Sequence, residues 1–146
     1  MKPWYKGKTE ILKCIKVFEM KRLIYGLFLT NSILTLPFGF LLLIIPGAMF
    51  SSYGITLDAG GELVARGYGA TLVGYGLVFY FLRNISEIGV VKSLLLAALV
   101  FNLIEAVIQT AAASKGIVLP VIWVTVVLHA IVTILITYAL INHKSK

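Results

Sequence analysis

The residues best suited to chemistry lie in the last third of the chain. Asn102, Glu105 and Gln109 are spaced i, i+3 and i+7, which places all three on one face of a helix. Thr125, His129 and Thr133 are spaced i, i+4 and i+8, again on one stripe. Counted from the turn at Lys115, Glu105 is 10 residues back and His129 is 14 residues forward. At the helical rise their depths then differ by roughly 6 Å, which facing side chains can close. A carboxyl group and an imidazole at matching depth suit proton handling or the binding of a ligand's polar head, with Asn102 and Gln109 alongside. The competing account is a polar knot that only fixes helix pairing. An acid in such a position is expected to be protonated or hydrogen-bonded and to face the protein interior.

Other chemistries are excluded by what is missing. A membrane b-type haem needs two axial ligands, and His129 is the only histidine away from the tail residue His143. One histidine with one glutamate is too few for a metal cage. No Ser-His-Asp set can be assembled, and the single cysteine, Cys14, forms neither an internal disulfide nor a redox pair. Gly67-Tyr68-Gly69 lacks the third glycine and the preceding strand of a dinucleotide fingerprint. No catalytic residue, metal site or cofactor is assigned, although a bound lipid is compatible with the pattern.

These residues are embedded in long apolar runs. Of 146 residues, 60% are hydrophobic and 13% charged, with a mean hydropathy of +0.98. Soluble domains run near half apolar and a quarter charged, so a soluble enzyme and a disordered chain are both excluded. Runs such as 40–45 and 94–101 do not alternate, which argues against a barrel. Backbone satisfaction in lipid then requires helices. The expected fold is all-α: an integral membrane four-helix bundle with an N-terminal amphipathic interfacial helix.

The spans are placed at about 23–49, 63–82, 91–113 and 117–141. Pro37 and Pro46 fall in the first span, and Pro120 is expected in the first turn of the fourth, where proline is tolerated. Residues 51–62 read as a turn-rich loop with Gly54, Asp58, Gly60 and Gly61. Two domains follow: a basic arm, 1–22, and the spanning domain, 23–146. In the arm, Ile11, Ile15 and Phe18 share a face away from Lys13 and Lys16, with Thr9 as N-cap and Trp4 and Tyr5 at headgroup level. It is not a cleavable signal in form, because no unbroken apolar run precedes Leu23.

Charge sets the orientation. Segments 1–22, 83–92 and 142–146 hold 7, 2 and 2 of the 13 lysines and arginines. The positive-inside rule places these segments, and both termini, in the cytoplasm. The formal charge of +7 is therefore assigned to anionic headgroups at the arm, and not to nucleic acid.

The second span carries two further features. Glu62 and Arg66 stand i, i+4, the favoured order for a helical ion pair, at the outer face. Ala65 with Gly69, and Ala70 with Gly74, form small-xxx-small steps that let helices approach closely. In the first span, Thr30, Asn31, Ser32 and Thr35 either extend the polar network or bond their own backbone.

Ile45-Pro46-Gly47-Ala48-Met49, then Tyr53-Gly54-Ile55 and Ala65-Arg66-Gly67-Tyr68-Gly69-Ala70, resemble a group of small, uncharacterised four-span prokaryotic membrane proteins. There a proline-ended first helix leads through a short acidic loop into an Ala-Arg-x-x-Gly-Ala opening of the second. The resemblance covers about residues 40–80 and implies topology, not mechanism. The basic arm before Lys21 departs from that pattern and suggests a docking element.

Three functions compete. The first is a non-catalytic structural or accessory subunit of a larger membrane complex, with other subunits or copies of itself as partners. The second is a small oligomeric transporter or channel protomer using Glu105 and His129. The third is a lipid- or isoprenoid-binding membrane enzyme with those two residues as acid and base. The expected location is a prokaryotic cell membrane.

Overall fold

The computed structural model describes residues 3–142, without the side chains of residues 3–9, 12 and 13. Five helices follow in order: α1 (Pro3–Ile44), α2 (Pro46–Ser51), α3 (Ala59–Leu82), α4 (Ile88–Ser114) and α5 (Ile122–Asn142). No strand occurs among the described residues. Three helices are long and apolar enough to cross a membrane: Cys14–Ile44, Ile88–Ser114 and Ile122–Asn142. α3 has the length, but its glycines, tyrosines, Glu62 and Arg66 dilute its apolar character.

The arm and the first apolar run are one helix. No glycine or proline lies between Thr9 and Tyr25, so nothing stops the helix at residue 22. Thr9 is therefore inside α1 and is not its N-cap. The expected headgroup placement of Trp4 and Tyr5 falls on side chains outside the described set, as does the tail beyond Asn142. At the other end α1 does not run on to Met49. Pro46 has no N–H to offer the Leu42 carbonyl, and the chain breaks at Ile45 before the short helix α2. Pro37, by contrast, is carried inside α1.

Asp58 starts α3 by accepting a hydrogen bond from the Gly61 N–H at 2.6 Å. Gly116, at φ +66°, ends α4 in the left-handed conformation that glycine adopts freely. Pro120 sits in the turn ahead of α5 and not in its first turn, because α5 begins five residues later than the apolar run suggests. The Leu119 N–H is used elsewhere: it donates to the Tyr53 carbonyl at 2.9 Å.

The helices associate as two pairs, α1 with α3 and α4 with α5, which α1 and α5 join. The α1–α3 seam is a backbone approach. A Cβ on Gly69 would stand 2.7 Å from the Gly39 carbonyl oxygen, and one on Gly39 would stand 2.9 Å from that of Gly69. Ala65, Gly69, Leu72, Gly76 and Phe79 form the buried face of α3. Ala70 and Gly74 are exposed, so the second small-residue pair is not part of this seam. Their offset from the Ala65–Gly69 stripe points them away from α1.

The apolar core fills one end of the molecule. Ile24, Leu27 and Phe28 of α1 meet Phe79 of α3, Val91 and Leu95 of α4, and Ile136 and Ala139 of α5. At the opposite end the pairs separate, and the Leu119–Tyr53 backbone bond ties them again at the rim.

Candidate functional site

Between core and rim the two pairs enclose a cavity of about 510 Å³. Most of its lining is apolar: Phe38, Leu42, Leu72, Phe101, Ile108 and Val132 are among the contributors. Polar atoms gather on the side built by α4 and α5. Asn102, Glu105, Gln109, Thr125 and His129 all line it, and Tyr68 reaches in from α3. No lysine or arginine is among the lining residues.

The structure thus brings the four expected residues to one cavity, with a geometry that spacing alone does not give. Glu105 and His129 do not bond to each other. Glu105 Oε1 accepts from the Tyr68 hydroxyl at 2.7 Å, and Oε2 accepts from Gln109 Nε2 at 3.0 Å. The Thr125 hydroxyl lies 2.6 Å from Gln109 Oε1 and 2.7 Å from the Ile122 carbonyl. The chain of contacts Tyr68–Glu105–Gln109–Thr125 therefore links α3, α4 and α5. Exchanging the oxygen and nitrogen of the Gln109 amide gives a second complete pattern. In it Glu105 donates as a neutral acid, Gln109 donates to Thr125, and Thr125 donates to Ile122.

His129 belongs to a separate pair. Its Nδ1 is 2.9 Å from Asn102 Oδ1. Asn102 is buried, and its Nδ2 donates to the Ala98 carbonyl at 2.8 Å. That second bond fixes the amide with Oδ1 toward the ring. Oδ1 is only an acceptor, so Nδ1 carries the proton and Nε2 is left as a bare acceptor in the neutral ring. The Phe101 ring meets the imidazole edge-on, with centroids 6.3 Å apart. Measured from the helix ends, Glu105 lies about 13.5 Å into α4 and His129 about 10.5 Å into α5, because α5 starts late. Their depths match more closely than the sequence count of roughly 6 Å gives.

The opposite wall includes Asn31 and Thr35 of α1. Their polar atoms turn mostly to their own helix: Asn31 Nδ2 donates to the Leu27 carbonyl at 2.9 Å, and Thr35 to the Asn31 carbonyl at 2.7 Å. Ser32 likewise donates to the Phe28 carbonyl at 3.0 Å. Asn31 Oδ1 also faces the Tyr75 hydroxyl at 3.4 Å. Thr30 is exposed. Thr133 does not line the cavity, and its hydroxyl oxygen is buried without a partner. At the rim, burial pushes the Tyr53 hydroxyl above its ordinary pKa, so it stays a neutral donor.

Glu62 and Arg66 form the expected ion pair at 3.6 Å. Arg66 does more than reach outward: its Nη1 also donates to the Leu43 carbonyl. That carbonyl belongs to the last turn of α1, where the break at Ile45 leaves acceptors without helical partners. Arg66 therefore caps α1 from α3. The sequence reading missed this role because it ran the first span past residue 44. It also missed Tyr68, whose position beside the Ala65–Gly69 stripe was the available signal. No group of three or more potential metal ligands occurs among the described residues.

Long apolar helices with large exposed side chains such as Phe81, Val124 and Ile141 make this chain an all-α integral membrane protein. Comparison finds no matching family model, no matching curated protein and no matching solved structure.

Proposed function

We propose that the chain is a four-span, non-catalytic membrane protein that holds a lipid-like molecule in the cavity between its helix pairs. The carrying observation is the cavity itself: about 510 Å³, apolar on most sides, with a polar wall around Glu105 and His129. Pockets of this size and make-up are typical of small-molecule sites. Leu34, Ile108 and Leu128 line the cavity and remain exposed, so its side is not sealed from lipid. The four-span arrangement has α3 crossing beside α1, both termini in the cytoplasm, and the cavity in the outer half.

This reading is favoured over transport by the core. Phe28, Phe79, Leu95 and Ile136 are almost wholly buried in one core cluster, which fills the space between the helix pairs there among the described residues. It is favoured over acid–base catalysis by the separation of Glu105 and His129 into different hydrogen-bonded sets.

A role as accessory subunit of a larger complex is the second reading, and α1 favours it. Its 42 residues span about 63 Å, roughly twice the hydrocarbon thickness of a bilayer. Ile11, Ile15 and Phe18 are exposed on the extension, where lysines also cluster. Such a face suits anionic headgroups or a partner's helix.

The test is native mass spectrometry of protein extracted in mild detergent. Wild type should retain lipid-like mass, and Ala112→Phe, which puts a ring into the cavity, should lose it. Equal retention by both, or none by wild type, would overturn the binding reading. A second protein at fixed stoichiometry would support the subunit reading.

A further inference from the structure

The polar side chains around Glu105 already partner one another, and this narrows what the wall can recognise. Both Glu105 carboxyl oxygens, both ends of the Gln109 amide and the Thr125 hydroxyl are bonded within the wall. Asn102 is bonded on both sides. His129 lines the same cavity, and its Nε2 has no hydrogen-bond partner among the described residues. The Asn102–Ala98 bond fixes the protonated ring atom as Nδ1, so this open position is an acceptor. A donor on the ligand would fill this position. The ligand must also be tolerated by a cavity that has no lysine or arginine in its lining and that holds an acidic side chain. An anionic head would be desolvated there without a counter-charge.

Resting on the binding reading above, the geometry points to a neutral amphiphile bearing a hydroxyl, whose O–H donates to His129 Nε2 while its apolar body fills the space between the helix pairs. Phosphate- and carboxylate-headed lipids are selected against. A membrane lipid alcohol and a phenolic lipid share this chemistry, and either source satisfies the site.

The experiment compares three probes on the intact protein in detergent: hexadecanol, its methyl ether and hexadecyl phosphate. The alcohol and ether differ by the single donor. Wild type should prefer the alcohol over the ether by about tenfold, the factor of one good hydrogen bond. It should also prefer the alcohol over the phosphate. In His129→Phe, the alcohol-to-ether ratio should fall to about one. Equal affinity for alcohol and ether in wild type overturns the assignment without needing any variant. So does a preference for the phosphate, or a ratio that survives His129→Phe. If wild type binds none of the three, the cavity-binding reading fails as well, which separates that failure from a wrong choice of head group. A phenol with the same chain, compared with its own methyl ether, distinguishes the two sources by which alcohol binds more tightly.

Discussion

The imidazole of His129 and the amide of Asn102 form one unit across the α4–α5 seam, with Nδ1 2.9 Å from Oδ1. Because Asn102 is anchored to the Ala98 carbonyl of its own helix, it decides which ring nitrogen is protonated. One lining residue thereby sets the polarity that its neighbour presents to the cavity. Replacing Asn102 by leucine leaves the ring without its orienting acceptor and leaves a buried donor unpaired. The expected cost is about 1–3 kcal/mol in stability. Unfolding by denaturing detergent measures it, and an unchanged midpoint would show that the pair carries no such weight.

The α1–α3 seam gives a sharper contrast. A methyl group on Gly69 meets the Gly39 carbonyl oxygen at 2.7 Å, whereas one on Gly74 meets nothing within 4 Å. Gly69→Ala should therefore destabilise by about 1–3 kcal/mol through forced separation of the backbones. Gly74→Ala should be neutral or slightly stabilising, since alanine is the better helix former. Thermal melts of the two variants in one detergent decide the matter. Equal melting would mean that the close approach is absent.

Arg66 touches both Glu62 and the last turn of α1, and the two contacts differ in weight. The ion pair is half exposed, so Glu62→Gln should have little effect. Arg66→Gln also removes a cation from a helix C-terminus, worth about 0.3–1 kcal/mol. The order of the two variants in a stability series is the readout, and a larger loss for Glu62→Gln would reverse the assignment.

Topology is open to labelling through the chain's only cysteine, Cys14, which is exposed. An impermeant maleimide should reach it from the cytoplasmic side alone. With Cys14 replaced by serine, single cysteines at Ser52 and Ser86 flank α3. They should label from opposite sides if α3 crosses the bilayer. Labelling of both from one side would remove α3 from the set of spans.

Much of the site was legible because helical periodicity fixes which residues share a face. The i, i+3, i+7 set on α4 and the His129 stripe on α5 needed only that rule. Periodicity does not fix how far one helix is slid along its neighbour, nor where a helix ends. For that reason the facing of Glu105 by Tyr68 was not readable, and neither was the pairing of His129 with Asn102 in preference to Glu105. Gly39 was not readable either, since its role depends on lying opposite Gly69. The helix ends tell the same story. Pro46 looked like a kink near the end of a span, yet without its N–H the helix stopped, and the acceptors set free there gave Arg66 its second partner. The unbroken course of α1 had the opposite cause: a change from charged to apolar residues does not interrupt a helix when no glycine or proline lies in between.

The most direct test of the account is a crystal structure grown from a lipid mesophase. Elongated density is expected in the cavity between the α1–α3 and α4–α5 pairs, with its polar end within hydrogen-bond distance of His129 Nε2. A cavity closed by inward movement of the two pairs, or density whose polar end contacts neither His129 nor the wall around Glu105, would contradict it.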